Sequence, residues 1–200
     1  MRDRLRKEER YMKKRELILF DKPGPKNTEA TLKAVRDRAC ELGIKTVVLA
    51  TTTGKTALRA LDVLEGTGVR VIGVTLHAGC WKKYGAPAPK LIRAAEERGA
   101  RFITATHTLM GNVSSAVREK LGGAPDCELI SYTYYTFGQG MKVAVEVAVM
   151  AADAGLLEGE REIIAVAGTG TGADTAVVLS PAYSTDFFSL KIREVIAMPR

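Results

Sequence analysis

Past residue 16 the sequence alternates between short β-branched runs and stretches whose apolar residues recur every three or four positions. A fully buried parallel strand reads as an unbroken apolar run, and two parallel strands need a crossover of a dozen or more residues, usually a helix. Strands are expected at Leu17–Phe20, Thr46–Ala50, Val69–Leu76, Arg101–Ala105, Ile163–Ala167, Ala176–Leu179 and Ile192–Met198. Between them, Thr28 is expected to cap a helix with the apolar face Leu32, Val35, Ala39 and Leu42, stopped by Gly43. Further helices are expected over about Lys55–Glu65, Pro89–Arg98, Met110–Leu121, Cys127–Phe137 and Met141–Ala154, with an irregular loop over His77–Pro87. The pattern predicts an α/β fold of three layers, doubly wound, with a mostly parallel sheet and an antiparallel strand near the C-terminus. It divides the chain into a basic extension, residues 1–16, and one domain, residues 17–200.

Two hundred residues suffice to bury a core without staples, and 46% hydrophobic with 26% charged residues is ordinary globular composition. No apolar run approaches the ~20 residues of a membrane span, and the charged N-terminus is unlike a signal peptide. Cys40, Cys80 and Cys127 are odd in number and widely spaced, which points to a reducing cytoplasm rather than a disulfide framework. The net charge of +7 invites a nucleic-acid reading, but residues 1–16, with eight basic against four acidic side chains, supply more than half of it. That segment reads as a solubilising arm without aromatic interleaving, and Met12 is a candidate start. Neither a nucleic-acid nor a membrane partner is expected.

Ligands of open α/β sheets bind beyond the carboxyl ends of the strands. The loops expected there are Thr51–Gly54, His77–Pro87, Thr106–Met110 and Gly168–Gly172. The first joins a buried strand to a helix: Thr51, Thr52, Thr53 and Thr56 offer hydroxyls, Gly54 allows close approach, and the helix start offers amides and a partial positive charge. These features suit a phosphate, against the alternative of a threonine-rich cap without ligand. A Walker A loop is excluded, because Leu49 stands where that motif needs glycine. Gly168-Thr169-Gly170-Thr171-Gly172-Ala173-Asp174-Thr175 satisfies a dinucleotide pattern in letters but is followed by a strand, so a wide hairpin loop with ligand-facing amides is expected instead.

His77 and His107, the two histidines of the chain, both follow strands and fall on this rim. Both are candidate ligand contacts or acid–base groups, and Cys80, three residues after His77, is a candidate nucleophile that Trp81 could alternatively bury. No metal is expected, since two histidines lack an evident third ligand. Glu146 and Asp153 share a face of the last long helix; Lys142, one turn before Glu146, is expected to pair with it, the alternative being that the carboxylates line the ligand site. Tyr132, Tyr134, Tyr135 and Phe137 read as packing or a subunit interface.

With these segments placed, Thr51–Ala57 resembles the effector-phosphate loop of the pyruvate kinase C-terminal domain, and Gly168–Thr175 its late glycine-rich loop. From about residue 17 onward the chain resembles small stand-alone proteins with that fold. The resemblance is carried by Lys22-Pro23-Gly24 with Asn27-Thr28, His77-x-Gly79, His107, Gly140-x-Lys142-Val143 with Glu146, Met150-Ala151-Ala152-Asp153, Gly172-Ala173-Asp174-Thr175 and Phe187-Phe188…Met198-Pro199-Arg200. Residues 1–11 and the Tyr-rich stretch before Gly138 depart from it.

The resemblance implies flavin mononucleotide (FMN) as a ligand and no pyruvate kinase activity, whose catalytic barrel would need about 250 further residues. The resulting expectation is a cytoplasmic, homo-oligomeric protein binding a phosphorylated small molecule. Thr51, Thr52, Thr53, Gly54 and Thr56 would hold the phosphate, with Asn27, His77, Gly79, His107 and Gly168, Thr169, Gly170, Thr171, Gly172, Ala173, Asp174 and Thr175 around the remainder. The alternatives are an enzyme using His77 or His107 (a flavin-dependent oxidoreductase, or a lyase or hydrolase on a phosphorylated metabolite) and a non-catalytic regulatory module.

Overall fold

The computed structural model describes residues 12–200; the reading of residues 1–11 as a basic arm lies outside them. A seven-stranded sheet has the order β1-β7-β6-β5-β2-β3-β4. Its strands are β1 (Ile18–Phe20), β2 (Thr46–Ala50), β3 (Arg70–Thr75), β4 (Arg101–Thr104), β5 (Ile163–Ala167), β6 (Thr175–Ser180) and β7 (Lys191–Pro199). β5, β2, β3 and β4 run parallel, whereas β6 is antiparallel to both β5 and β7, and β1 pairs parallel with β7. The expected mixed, mostly parallel sheet is therefore present.

The central strands sort their side chains by the two-residue period of a pleated strand. Val47 and Leu49 of β2, Ile164 and Val166 of β5, and Ala176 and Val178 of β6 enter one core. The intervening Val48, Ile163, Ala165, Val177 and Leu179 enter the other. The first core is covered by α1 (Thr28–Leu42), α2 (Lys55–Val63) and, through Ala95, α4 (Pro89–Glu97). The second is covered by α7 (Gln139–Asp153), which is buried without interruption from Gly140 to Lys142 and from Ala144 to Ala152. Its Ala144, Ala148 and Ala151 leave room for the helix to lie close on the sheet. No helix among the described residues is long and apolar enough to cross a membrane.

Three local expectations change. Thr28 is the first residue of α1, its N-cap position being Asn27, and its hydroxyl turns back to the Pro25 carbonyl instead of capping α1. The segment read as irregular after β3 contains a helix, α3 (Ala78–Tyr84), whose N-cap is the His77 side chain. Seven residues make only two turns, too short a window for a helical period to announce it. The next helix, α5 (Val113–Leu121), starts three residues later than expected, because the Asn112 side chain caps it by accepting from the Ser114 N–H at 2.9 Å. α6 (Asp126–Tyr135) follows it. The stop at Gly43 is as expected: its φ of 69° is left-handed, and its N–H and that of Ile44 both reach the Ala39 carbonyl.

Candidate functional site

The carboxyl ends of β5, β2, β3 and β4 open on one rim. β1 runs in the same sense, so the turn after it reaches that rim as well. From β2 the chain proceeds toward β3 on one side, and from β5 toward β6 on the other. The loops after β2 and β5 thus diverge over a crevice, the usual place for a ligand in an open sheet.

After β2, the Thr51 N–H donates to the Val74 carbonyl at 2.9 Å, and the buried Thr51 Oγ1 accepts the Gly54 N–H at 3.1 Å. This folds the loop back just before α2. Gly54 sits at φ 95°, a left-handed conformation, with Ile92 packed against it, so a side chain there would be strained. Thr53 Oγ1 accepts the Lys55 N–H at 3.4 Å, and the Thr53 carbonyl accepts the Ala88 N–H at 3.2 Å. Thr52 and Thr56 are half-buried, and their hydroxyls have no protein partner among the described residues. What this loop can do chemically is donate: two free hydroxyls, and the unpaired amides of the first turn of α2 with the positive end of its dipole.

The loop after β5 is a wide hairpin, as expected, with Gly170 and Gly172 at φ 79° and 73°. Asp174 is fully buried and turned inward: Oδ2 accepts the N–H groups of Gly24 (2.8 Å) and Thr169 (3.1 Å), and Oδ1 accepts the Thr175 hydroxyl (2.9 Å). The Ala173 N–H donates to Thr28 Oγ1 at 2.9 Å, and that hydroxyl donates to the Pro25 carbonyl at 2.8 Å. The turn after β1 is thereby tied to the hairpin, and Asn27 joins it by donating to the Lys22 carbonyl. Of the glycine-rich segment, Gly170 and Thr171 face solvent, Gly168, Thr169 and Gly172 are half-buried, and Ala173, Asp174 and Thr175 are buried.

On the other side of the rim the structure brings His77, Cys80 and His107 together. The imidazole rings stand edge to face with centroids 4.8 Å apart. His77 Nδ1 accepts the Gly79 N–H at 3.2 Å, which puts the ring proton on Nε2, where it faces the Gly111 carbonyl at 2.8 Å; Cys80 Sγ lies 3.2 Å from the same atom. Cys80 is half-exposed, and Trp81 does not bury it but donates to the Leu76 carbonyl. Burial lowers the His107 pKa below the ordinary imidazole value against the opposing pull of Glu146, with His77 and Lys142 adding to the lowering, so the ring is neutral at pH 7.

Glu146 is buried and pairs with buried Lys142 at 2.6 Å, as expected. Its other oxygen, Oε1, accepts the N–H groups of Leu109 and Met110, both at 2.9 Å, and so sets the loop that carries His107. Asp153, expected on the same face, is exposed at the far end of α7, where it accepts the Ser184 N–H. Seven residues advance a helix by about 10 Å, so a shared face does not bring the two carboxylates to one site. In the aromatic cluster, Tyr134 packs into the second core, Tyr135 donates to Met110 Sδ, and Tyr132 and Phe137 stand exposed.

Sequence reasoning missed the support behind His77. The Gly111 N–H donates to Ser115 Oγ, and Ser115 in turn is hydrogen-bonded to the buried Glu128 carboxylate. No local pattern signals a contact between a loop and the next two helices. A cavity of about 650 Å³ lies away from these groups, at the opposite rim, between Leu42–Lys45, Glu160–Glu162, Ser180 and Arg193; its acids pair with Arg70 and Arg193.

The strand order, the threonine turn opening α2 and the late hairpin loop tied to the turn after β1 thus form one architecture. Residues 29–179, from the first turn of α1 to β6, match the family model of the pyruvate kinase alpha/beta domain, and the chain belongs to that family.

Proposed function

We propose that the protein binds a phosphorylated small molecule on this rim, with the phosphate held by Thr52, Thr53 and Thr56 at the start of α2, where Gly54, its own N–H given to Thr51, shapes the turn. The observation that carries this reading is the pair of unpartnered hydroxyls, Thr52 and Thr56, beside the open amides of that helix at the crevice between β2 and β5. Thr51 belongs to the same loop but is buried and shapes it, its hydroxyl accepting the Gly54 N–H, whereas Thr53 is only half-buried. FMN is the preferred ligand: its terminal phosphate suits this donor set. The remainder of the molecule would meet the half-buried Asn27, His77 and His107 and the amides of Gly168 and Gly170, since the Thr169 and Thr171 N–H groups are engaged within the loop. FMN supplies redox chemistry when bound; the chain's own contribution is to grip the phosphate and orient the rest.

A thermal-shift comparison of FMN, riboflavin, sugar phosphates and nucleotides tests this. A ligand at 100 times its Kd adds about 2.7 kcal/mol of stability. FMN or another phosphorylated compound is expected to raise Tm while riboflavin does so much less, and Thr53→Ala and Thr56→Ala to reduce the shift. Equal shifts in wild type and both variants, or none with any phosphorylated compound, would sink the reading.

A second reading, that the same rim performs acid–base chemistry on the bound molecule, is favoured by the contact between His77 and His107. It requires His107→Gln to retain binding and lose turnover. Homo-oligomerisation is supported by the exposed apolar stripe Val113, Val117 and Leu121 on α5, and light scattering of the purified protein decides it. The protein is proposed to work in the cytoplasm.

A further inference from the structure

The geometry points to a transition-metal site of the zinc class held by His77, Cys80 and His107. One ligand atom from each of these side chains lies within 4.8 Å of the other two. Two imidazoles and a thiolate around Zn²⁺, with bonds of about 2.0–2.1 Å to nitrogen and 2.3 Å to sulfur, place the donor atoms about 3.3–3.6 Å from one another. The existing 3.2 Å between Cys80 Sγ and His77 Nε2 is already close to that spacing. The three groups come from the loop after β3, the first turn of α3 and the loop after β4, and all are half-buried, so an ion can reach them. A thiolate with imidazoles selects zinc, or cobalt in its place, over magnesium and calcium, which take oxygen ligands. Three protein ligands leave a fourth position for water or a ligand oxygen, the coordination of catalytic rather than structural zinc.

Binding rearranges two protons. The Cys80 thiol loses its proton to solvent as the metal–sulfur bond forms. His77 must present the Nε2 lone pair, so its ring proton moves to Nδ1 and the 3.2 Å bond from the Gly79 N–H is given up. Gly79 is exposed, so water takes over that amide. The Gly111 carbonyl, released from Nε2, stays anchored through the Ser115 bond to its own N–H. The loops carrying the ligands are braced independently of the ion: Glu146 holds the amides of Leu109 and Met110, and Trp81 holds the Leu76 carbonyl. The site does not depend on the phosphate reading.

The test is titration of the chelator-treated, fully reduced protein with Co²⁺. One equivalent is expected to produce a thiolate-to-cobalt charge-transfer band with intense tetrahedral visible bands, both abolished by excess Zn²⁺. Cys80→Ser is expected to lose the charge-transfer band and His107→Gln to weaken binding at least about tenfold, whereas Thr53→Ala keeps the full spectrum. The inference fails if the folded wild type gives no charge-transfer band or if the band survives in Cys80→Ser, which would put the metal on Cys40 or Cys127. Should a variant not fold, alkylation of the wild type decides. Zn²⁺ is expected to slow iodoacetamide modification of Cys80 and leave exposed Cys40 reactive; equal Cys80 rates with and without Zn²⁺ would overturn the site.

Discussion

The Asp174 carboxylate accepts the backbone N–H of Gly24 at 2.8 Å, joining segments 150 residues apart in a fully buried contact. The same oxygen takes the Thr169 N–H, so one side chain closes both the turn after β1 and the hairpin after β5. Asp174→Asn keeps the volume but turns an NH₂ toward donors or leaves one oxygen to serve three of them. A buried donor left without a partner costs about 1–3 kcal/mol. A loss of about 3 kcal/mol in urea unfolding is expected, with Asp174→Ala at least as severe; a loss below about 0.5 kcal/mol would show that the bonds contribute nothing net.

The Lys142–Glu146 pair offers a sharper test because the two partners have unequal duties. Lys142→Met strands the Glu146 carboxylate, and removing one member of a buried pair costs about 3–5 kcal/mol. Glu146→Gln keeps an oxygen for the Leu109 and Met110 amides but strands the buried ammonium. The double variant Lys142→Met/Glu146→Gln is expected to recover much of the loss, since no charge remains unpaired and the amides keep their acceptor. A double-mutant cycle checks it, and strict additivity would contradict the coupling.

Why some of this could be read from the letters and some not follows from range. Val47, Val48 and Leu49 are each buried on one face or the other of the sheet, so β2 had to be an apolar run, and the same holds for β5. Thr51–Lys55 is legible because a strand, a glycine and a helix start adjoin in sequence. The Lys142–Glu146 pair is legible because one helical turn separates them. By contrast, Asp174 reaches Gly24, Thr28 receives the Ala173 N–H and Glu128 supports Gly111 through Ser115, all through tertiary contacts without a spacing rule. Cys80 could be seen near His77, but the approach of His107 depends on β3 pairing with β4.

Burial pushes the phenols of Tyr134 and Tyr135 up, and for Tyr135 the negative charge of Glu146 adds to it. The unfolded chain therefore ionises these groups first. Their contribution to stability is complete below the ordinary value of 10.0 and is lost as pH rises from there through the folded pKa. Tyr135→Phe is expected to leave stability at pH 7 within about 1 kcal/mol of wild type, because the hydroxyl gives up only a contact to Met110 sulfur. The same substitution should flatten the alkaline decline. Urea unfolding between pH 8 and the onset of alkaline denaturation gives the two slopes, and identical slopes would contradict the shift.

Gly140, in the first turn of α7, faces the start of β6 so closely that an added Cβ would overlap the Thr175 side chain and come within 2.9 Å of Asp174 Oδ1. On propensity alone Gly140→Ala would stabilise the helix by about 1 kcal/mol. The overlap reverses that sign: Thr175 is buried in a strand paired on both sides and cannot move away without shifting the Asp174 bonds. Overpacking a rigid site costs about 1–3 kcal/mol or more, so a net loss of about 2 kcal/mol is expected. Gly66→Ala is the control. Its Cβ meets nothing within 4 Å and only its φ of 75° is unfavourable, at about 1–2 kcal/mol. Hydrogen exchange separates the two mechanisms: Gly140→Ala should speed exchange at the Gly24 and Thr169 amides, which Asp174 holds, while Gly66→Ala leaves them protected. Unchanged protection in Gly140→Ala would mean that α7 moves off the sheet instead, leaving the Asp174 junction intact.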